Sequence, residues 1–293
     1  MNNALLTKPI ILVTGANGQL GMELRHLSAA QPDYEFIFTG REELDISNRR
    51  AVDEYFEKNK ALFCINCAAY TAVDKAEKEK LIAEEINTDG PAHLASACRD
   101  HGVQMFHIST DYVFNGRGNA PYRPGDATDP VNFYGTTKLN GEKKALIENS
   151  DIIIIRTAWV YSSFGNNFVK TMIRLMNQKE SINVVSDQLG TPTYAADLAD
   201  AIIQIIRKKK FVPGIYHYTN TGITSWFDFA KEIATGIGTN CIVLPINTDQ
   251  YPTPAARPAY SALDNEKISS VFGIDIPEWR ESLKRCLALM NNV

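Results

Sequence analysis

Asn132-Phe133-Tyr134-Gly135-Thr136-Thr137-Lys138 reads as the opening two turns of a helix that follows a proline-rich loop. A tyrosine and a lysine four residues apart share one helix face, so the ammonium can lie near the phenol oxygen in any cleft that face lines. Such a pair is a tunable acid. A free tyrosine titrates near ~10, about three units too high for work at neutral pH, and closing that gap takes roughly 4 kcal/mol. A unit cation ~4 Å away supplies about that much at an effective dielectric of ~20. The arithmetic admits Tyr134 as a proton donor or acceptor. The same four-residue spacing also suits an amphipathic surface helix, and the rest of the chain has to decide between the two.

A second chemical signal lies at the start. Pro9 to Thr14 is a short apolar run ending in Gly15-Ala16-Asn17-Gly18-Gln19-Leu20-Gly21, and a helical pattern follows from about Gln19 to Ala29. Strand, glycine turn and helix in that order can carry a pyrophosphate on the donors of a helix N-terminus. The spacing is G-x-x-G-x-x-G, and a tight strand-to-helix turn is the alternative. Tyr34 to Thr39 reads as the next strand, whose end would face an adenosine ribose. Gly40-Arg41 there leans towards the 2′-phosphate of NADPH, with NADH also admitted, because Arg41 also suits a solvated loop and Glu42 and Glu43 follow at once.

The elements that must position these residues alternate. Asp45-Ile46-Ser47 precedes a helix from Arg49 to Lys58, with Ser47 as the expected N-cap. Leu62 to Asn66 is a strand running into Cys67-Ala68-Ala69-Tyr70-Thr71. Glu77 to about His101 is one helical stretch with a break near Pro91, closed by Gly102. Val103 to Ile108 is a strand ending in Ser109-Thr110-Asp111. Residues 115 to 132, rich in glycine and proline, read as a long ordered loop or lid before the Tyr134 helix, and Asp151 to Ile155 is the next strand. Near-continuous apolar strands separated by helices predict an α/β fold: a doubly wound parallel sheet (Rossmann-like) with a smaller C-terminal substrate domain. Residues 1–156 form the dinucleotide-binding part, 194–220 return to its sheet, and 157–293 are mainly substrate-binding. Ligands of such sheets bind beyond the carboxyl ends of the strands, where Gly15, Ala68 and Thr110 converge.

Composition removes other classes. The chain has 293 residues and a net charge of −4, which gives no basic footprint for nucleic acid or an anionic membrane. No apolar stretch reaches the ~18 residues of a membrane span. Met1 to Lys8 lacks the pattern of a secretory signal, so a cytoplasmic location is expected. Five cysteines without regular spacing suit reduced thiols, and Cys64 and Cys67 are expected as buried strand residues. The five histidines are scattered and no metal is expected.

With Gly15 to Gly21, Ser109-Thr110-Asp111 and Tyr134/Lys138 in this order, the sequence resembles the extended short-chain dehydrogenase/reductase family over at least its first 160 residues. Thr71 to Glu77, Ser109 to Phe114, Arg156 to Tyr161, Gly165 to Phe168, Asp187 to Thr193 and Tyr251 to Pro258 are similar to the dTDP-4-dehydrorhamnose reductases, over nearly the whole length. The resemblance implies reduction of the 4-keto group of dTDP-4-dehydro-L-rhamnose to dTDP-L-rhamnose with NADPH or NADH, in a route to cell-surface polysaccharide. It implies Tyr134 as proton donor, Lys138 on the nicotinamide ribose and lowering the phenol's pKa, and Thr110 hydrogen-bonded to the same keto oxygen. Gly15, Gly18, Gln19, Leu20 and Gly21 would hold the pyrophosphate turn, Arg41, Asp45 and Ile46 the adenosine end, and Ala69, Tyr70 and Thr71 the middle of the cofactor. Asp111, Trp159 and Arg257 match substrate positions, the indole offering a flat face and the guanidinium a fork for the diphosphate. Outside the resemblance, Trp159 reads equally as a core aromatic and Arg257 as a solvated charge.

Nucleotide-sugar dehydratases of the superfamily carry Asp-Glu after that threonine, whereas Tyr112 follows Asp111 here. Some of the reductases join two subunits through a metal held by glutamates. Glu23 matches one of these and Ala196 stands at another, so no metal is expected and the state is monomer or homodimer. A catalytically silent nucleotide-sugar-binding regulatory subunit and a nucleotide-sugar epimerase are the competing readings.

Overall fold

The computed structural model describes residues 8–290, so the opening segment read above falls, for residues 1–7, outside the described part. Six parallel strands make the central sheet: β1 (Ile10–Thr14), β2 (Glu35–Thr39), β3 (Phe63–Asn66), β4 (Gln104–Thr110), β5 (Ile153–Thr157) and β6 (Gly214–His217). Their order across the sheet is β6-β5-β4-β3-β1-β2, so the chain starts near one edge and reverses direction after β2. β6 joins β5 with Gly214 opposite Ile153, which is the expected return of the 194–220 segment to the main sheet.

Alternate strand residues feed two cores. Ile11, Val13, Ile65, Ile153 and Ile155 pack with helix α1 (Gln19–Ser28) and with Leu198 to Ile206. Leu12, Cys64, Met105, Ile152 and Ile154 face the other way, against Val52, Phe56, Leu94 and Cys98. A strand apolar on both sides has to be covered on both sides, which is why these runs lack the alternation of a half-exposed sheet. On the first side lie α1 and α5 (Ala195–Lys208); on the second lie α2 (Arg49–Lys58), α3 (Gly90–Asp100) and α4 (Phe133–Glu148). A third core, with Val169, Met172, Phe229, Ile233, Trp279 and Leu283, belongs to the later half of the chain. There Ser181–Val185 pairs in parallel with Ile242–Ile246, and Leu189–Gly190 pairs with Thr224–Ser225.

Four local expectations need correction. Asn48, not Ser47, caps α2, its side chain accepting from the Ala51 N–H, while the Ser47 hydroxyl and amide both donate to Asp45. The single helix expected over 77–101 is broken into Val73–Ala76, Lys80–Glu84, a π-helical turn over Glu85–Asp89, and α3, with Pro91 in its first turn. Asn87 within the π turn is fully buried and ties Tyr70 down through both backbone groups, at 2.8 and 3.0 Å. Cys64 is a buried strand residue as expected, but Cys67 lies just past β3, half-buried. Ser109 and Thr110 are the last residues of β4 and do not follow it.

Residues 115–132 form an ordered loop stitched to the C-terminal part. Tyr122 donates its amide to Ala262 and accepts from Asp264, and Asn132 donates to the carbonyl of Ala256 at 2.8 Å. No helix among the described residues is long and apolar enough to cross a membrane.

Candidate active site

A cleft of about 780 Å³ opens at the carboxyl ends of the strands. Its floor is the turn after β1. Gly15 adopts φ +65°, and a Cβ there would lie 2.5 Å from the backbone nitrogen of Ala68, so β1 and the segment after β3 meet at a distance only glycine allows. Gly21 is equally constrained, its missing Cβ being 2.6 Å from the carbonyl oxygen of Gly15. Gly18 caps α1 without any side-chain hydrogen bond. The first amides of a ten-residue helix are therefore left without an intrahelical or capping partner and point into the cleft, where they fit a diphosphate.

Leu20 and Gln19 complete this wall, and Gln19 crosses the cleft to hydrogen-bond Asn167 at 2.9 Å. At one end lie Arg41, Asp45 and Ile46. Arg41 is exposed and only loosely paired with Asp45 at 3.3 Å, so its guanidinium is free to meet a phosphate; Asp45 is drawn towards Ser47, which with Arg41 holds its carboxyl below the usual range despite some burial. Ala69 and Thr71 line the middle. Tyr70 is not among the lining residues, and its hydroxyl donates to Glu79 at 2.7 Å.

The other end holds Thr110, Asp111, Tyr134 and Lys138. Asn132 caps α4 by accepting from the Gly135 amide at 2.8 Å, and this sets the register that turns Tyr134 and Lys138 inward. Both are buried, at 8% and 2% exposure. Burial pushes the Tyr134 phenol up to about 12, opposed by the neighbouring Thr110 hydroxyl and reinforced by the charge of Asp111. Lys138 has no part in that shift. Its Nζ donates to the carbonyl of Ile108 at 2.6 Å, and burial brings its ammonium down to about 8, opposed by Glu142. The phenol is thus not acidified in the protein by itself, because desolvation dominates and the Lys138 ammonium is turned to the Ile108 carbonyl. Asp111 is 2% exposed and burial raises its carboxyl to about 6, with Ser261 and Thr110 nearby holding it lower; the Ser261 hydroxyl lies beyond hydrogen-bond geometry, so Oδ2 has no partner. A buried carboxylate oxygen without a partner is expensive and asks for a donor from a ligand.

Trp159 lines the cleft with φ +49°, a left-handed conformation that is strained for a large residue. Its indole stacks on Trp226 at 3.5 Å and 8°, and a Cβ on Gly190 would lie 2.6 to 2.9 Å from three of its ring atoms. One face of the indole is therefore covered by Trp226, while Trp159 still lines the cleft. Arg257 does not line the cleft. It pairs with Asp74 at 2.9 Å and with the carbonyl of Ala255. Glu23 is 3% exposed and accepts from Ser162 at 2.6 Å, with burial raising its carboxyl. No group of three or more His, Cys, Asp or Glu suited to a metal ion occurs among the described residues.

Cys67, Thr157 and the Gly165 to Asn167 turn also line the cleft. None has an individual role in the sequence reading, although Thr157 and Gly165 to Asn167 lie in segments that carry the family resemblance.

The RmlD substrate binding domain family matches residues 9–292. A spore coat polysaccharide biosynthesis protein of Bacillus subtilis is 43% identical over 278 residues, 94% of this chain and 96% of its own. A dTDP-4-dehydrorhamnose reductase of Aggregatibacter actinomycetemcomitans is 41% identical over 288 residues, 95% and 98% of the two chains. The crystal structure of a dTDP-4-dehydrorhamnose reductase from Bacillus anthracis in complex with NADP superposes with a TM-score of 0.93 at 39% identity, over 97% of this chain and 100% of that one.

Proposed function

The chain belongs to the RmlD substrate binding domain family, and from that premise we propose that Tyr134, Lys138 and Thr110 carry out a carbonyl reduction in the cleft. The reaction is reduction of the 4-keto group of dTDP-4-dehydro-L-rhamnose to dTDP-L-rhamnose by hydride transfer from NADPH, with NADH as the lesser alternative. The observation that supports the residue roles best is that one cleft joins the glycine turn to the buried Tyr134 and Thr110.

NADPH fits the uncapped start of α1 and the free guanidinium of Arg41, and when bound it supplies the hydride. A carbonyl that gains hydride becomes an alkoxide, so a donor is needed at its oxygen. Tyr134, with its phenol near 12, carries its proton throughout the neutral range, and an alkoxide is a far stronger base than a phenolate. Transfer is downhill even without an acidified phenol. Thr110 steadies the phenol and the nascent alkoxide, and Lys138, cationic below about 8, lies where a nicotinamide ribose would replace the Ile108 carbonyl as its partner. Asp111 accepts a sugar hydroxyl through its unpartnered Oδ2. Residues 1–156 with 194–220 hold the cofactor and the remainder binds the nucleotide sugar, in a cytoplasmic monomer or homodimer without nucleic-acid partners.

The test is NADPH oxidation in the presence of the 4-keto sugar. Wild-type protein should consume one NADPH per sugar, and Tyr134→Phe should lose roughly 10²- to 10⁴-fold in kcat while keeping cofactor affinity. Turnover without net NADPH loss would mean epimerisation. A Tyr134→Phe variant of normal rate would remove Tyr134 from the chemistry.

A further inference from the structure

Behind the cleft, α4 carries a third buried residue on the face of Tyr134 and Lys138. Glu142 lies one turn beyond Lys138 and is 1% exposed. Its carboxylate accepts from Arg156 twice, from Nε at 2.9 Å and Nη2 at 2.6 Å, and from the Ser109 hydroxyl at 2.5 Å. Arg156 is itself 2% exposed, lies opposite Ser109 in the β4–β5 register, faces the ring of Phe114, and donates to the Pro124 carbonyl in the 115–132 loop at 3.3 Å.

We infer that the Glu142–Arg156 pair, with Ser109, is a positioning device that holds Lys138 and Thr110 in their working places. Three consecutive residues of β4 carry the argument. Ile108 takes the Lys138 ammonium on its carbonyl, Ser109 is tied to Glu142, and Thr110 is the next residue, lining the cleft with Tyr134. The end of β4 is thus fastened to the catalytic face of α4 at two points one helical turn apart. A buried ion pair is a poor way to gain stability, since well-packed apolar residues of similar volume often do as well or better. Its position directly behind a catalytic lysine gives it another use.

Charge points the same way. The titratable groups acting with Lys138 are Glu142 on its own helix, Cys67 past β3 and His107 on β4. Burial raises the Cys67 thiol and lowers the His107 imidazole, so both are neutral at working pH. Glu142, itself held by the Arg156 guanidinium, is then the acidic neighbour that opposes the burial of the Lys138 ammonium.

The inference rests on the reductase reading, and the experiment separates the two. Steady-state rates with NADPH and the keto sugar are measured across pH 6 to 10 for wild type, Ser109→Ala, Glu142→Gln and the apolar pair Glu142→Leu with Arg156→Met. Ser109→Ala removes one hydrogen bond and should lower kcat about threefold with little change in KM. Glu142→Gln should lower kcat at least tenfold and move the alkaline limb of the profile to lower pH by about one unit, while cofactor affinity changes less than threefold. The apolar pair should keep the wild-type melting temperature and lose kcat as strongly. An apolar pair that folds with wild-type kcat and an unmoved alkaline limb overturns the inference. So does Ser109→Ala with wild-type kcat and profile if the charge variants do not fold. Absence of wild-type turnover would instead sink the reductase reading.

Discussion

The sheet has two ends, and each has a cavity. The one at the carboxyl ends of the strands measures about 780 Å³ and the one at the amino ends about 660 Å³. Size does not separate them; the groups that line them do. The amino-end cavity is walled by Tyr34, Phe63 and Phe211, whose rings contact one another at 6.3 and 5.6 Å, with Arg207, Lys209 and Asp33 at its rim. Its cations have a local explanation, because Arg207 lies in the last turn of α5 and Lys209 is its C-cap, where they offset the carbonyl end of the helix. At the carboxyl end α1 presents its amide end instead, uncapped. Helix direction in a parallel α/β sheet therefore decides which cavity receives an anionic dinucleotide, and the buried carboxyl and phenol collect there too.

The largest effect should come from closing the floor of the functional end. Gly15→Ala puts a methyl group 2.5 to 2.7 Å from the backbone of Cys67 and Ala68, in a left-handed conformation that costs alanine roughly 1 kcal/mol or more by itself. Since backbone must move, we expect about 2–4 kcal/mol of lost stability and at least a hundredfold weaker NADPH binding, read by urea denaturation and by titration of cofactor fluorescence. Gly102 at the other end also has a positive φ, +66°, but nothing within 4 Å of its missing Cβ. Gly102→Ala should therefore cost only backbone strain and leave NADPH affinity unchanged.

Much of this contrast was legible in the chain itself. Apolar runs such as Ile152 to Ile155 are covered on both faces, and such runs alternating with helices fit a parallel sheet, so the sheet type followed from the text while the order of its strands did not. The glycine turn and the Tyr134/Lys138 face were legible because each is local. What escaped depends on distant partners. Ser47 and Asn48 are both competent caps, and the choice fell to Asn48 because Asp45 occupies Ser47. The Tyr70 hydroxyl is taken by Glu79, and Arg257 is claimed by Asp74, 183 positions earlier. The Glu142–Arg156 pair joins a helix to a strand, and neither residue type at that spacing announces burial. Desolvation of Tyr134 is likewise a property of the packed cleft, and it reversed the sign expected for its phenol.

A second, smaller effect sharpens the comparison through pH. Burial raises the Asp111 carboxyl to about 6, above its unfolded value near ~3.9. Between those values the native state binds more protons than the unfolded chain, so this residue's contribution to stability falls as pH rises from about 4 through 6 and stays lost above. Asp111→Asn cannot titrate. It should gain on the order of 2–3 kcal/mol relative to wild type between pH 4 and pH 7.5, while losing activity because its side chain no longer offers a carboxylate to the sugar. Asp33→Asn at the other cavity, an exposed change, should stay within about 0.5 kcal/mol at both pH values. Equal pH dependence in the two variants would mean that the Asp111 site is wetter than its packing indicates.

The smallest effect concerns two arginines, one at each end. Arg41 is 71% exposed and weakly paired, so neutralising it should barely alter stability. Its value is to the ribose 2′-phosphate: Arg41→Ala should raise KM for NADPH about five- to tenfold and leave KM for NADH within twofold. That difference should shrink as salt shortens the ~8 Å reach of exposed charges. Arg207→Ala removes an equal charge from the opposite cavity and should change neither KM. If Arg207→Ala weakened NADPH as much as Arg41→Ala, the attraction would come from overall charge, and the phosphate would have no address at the end of β2.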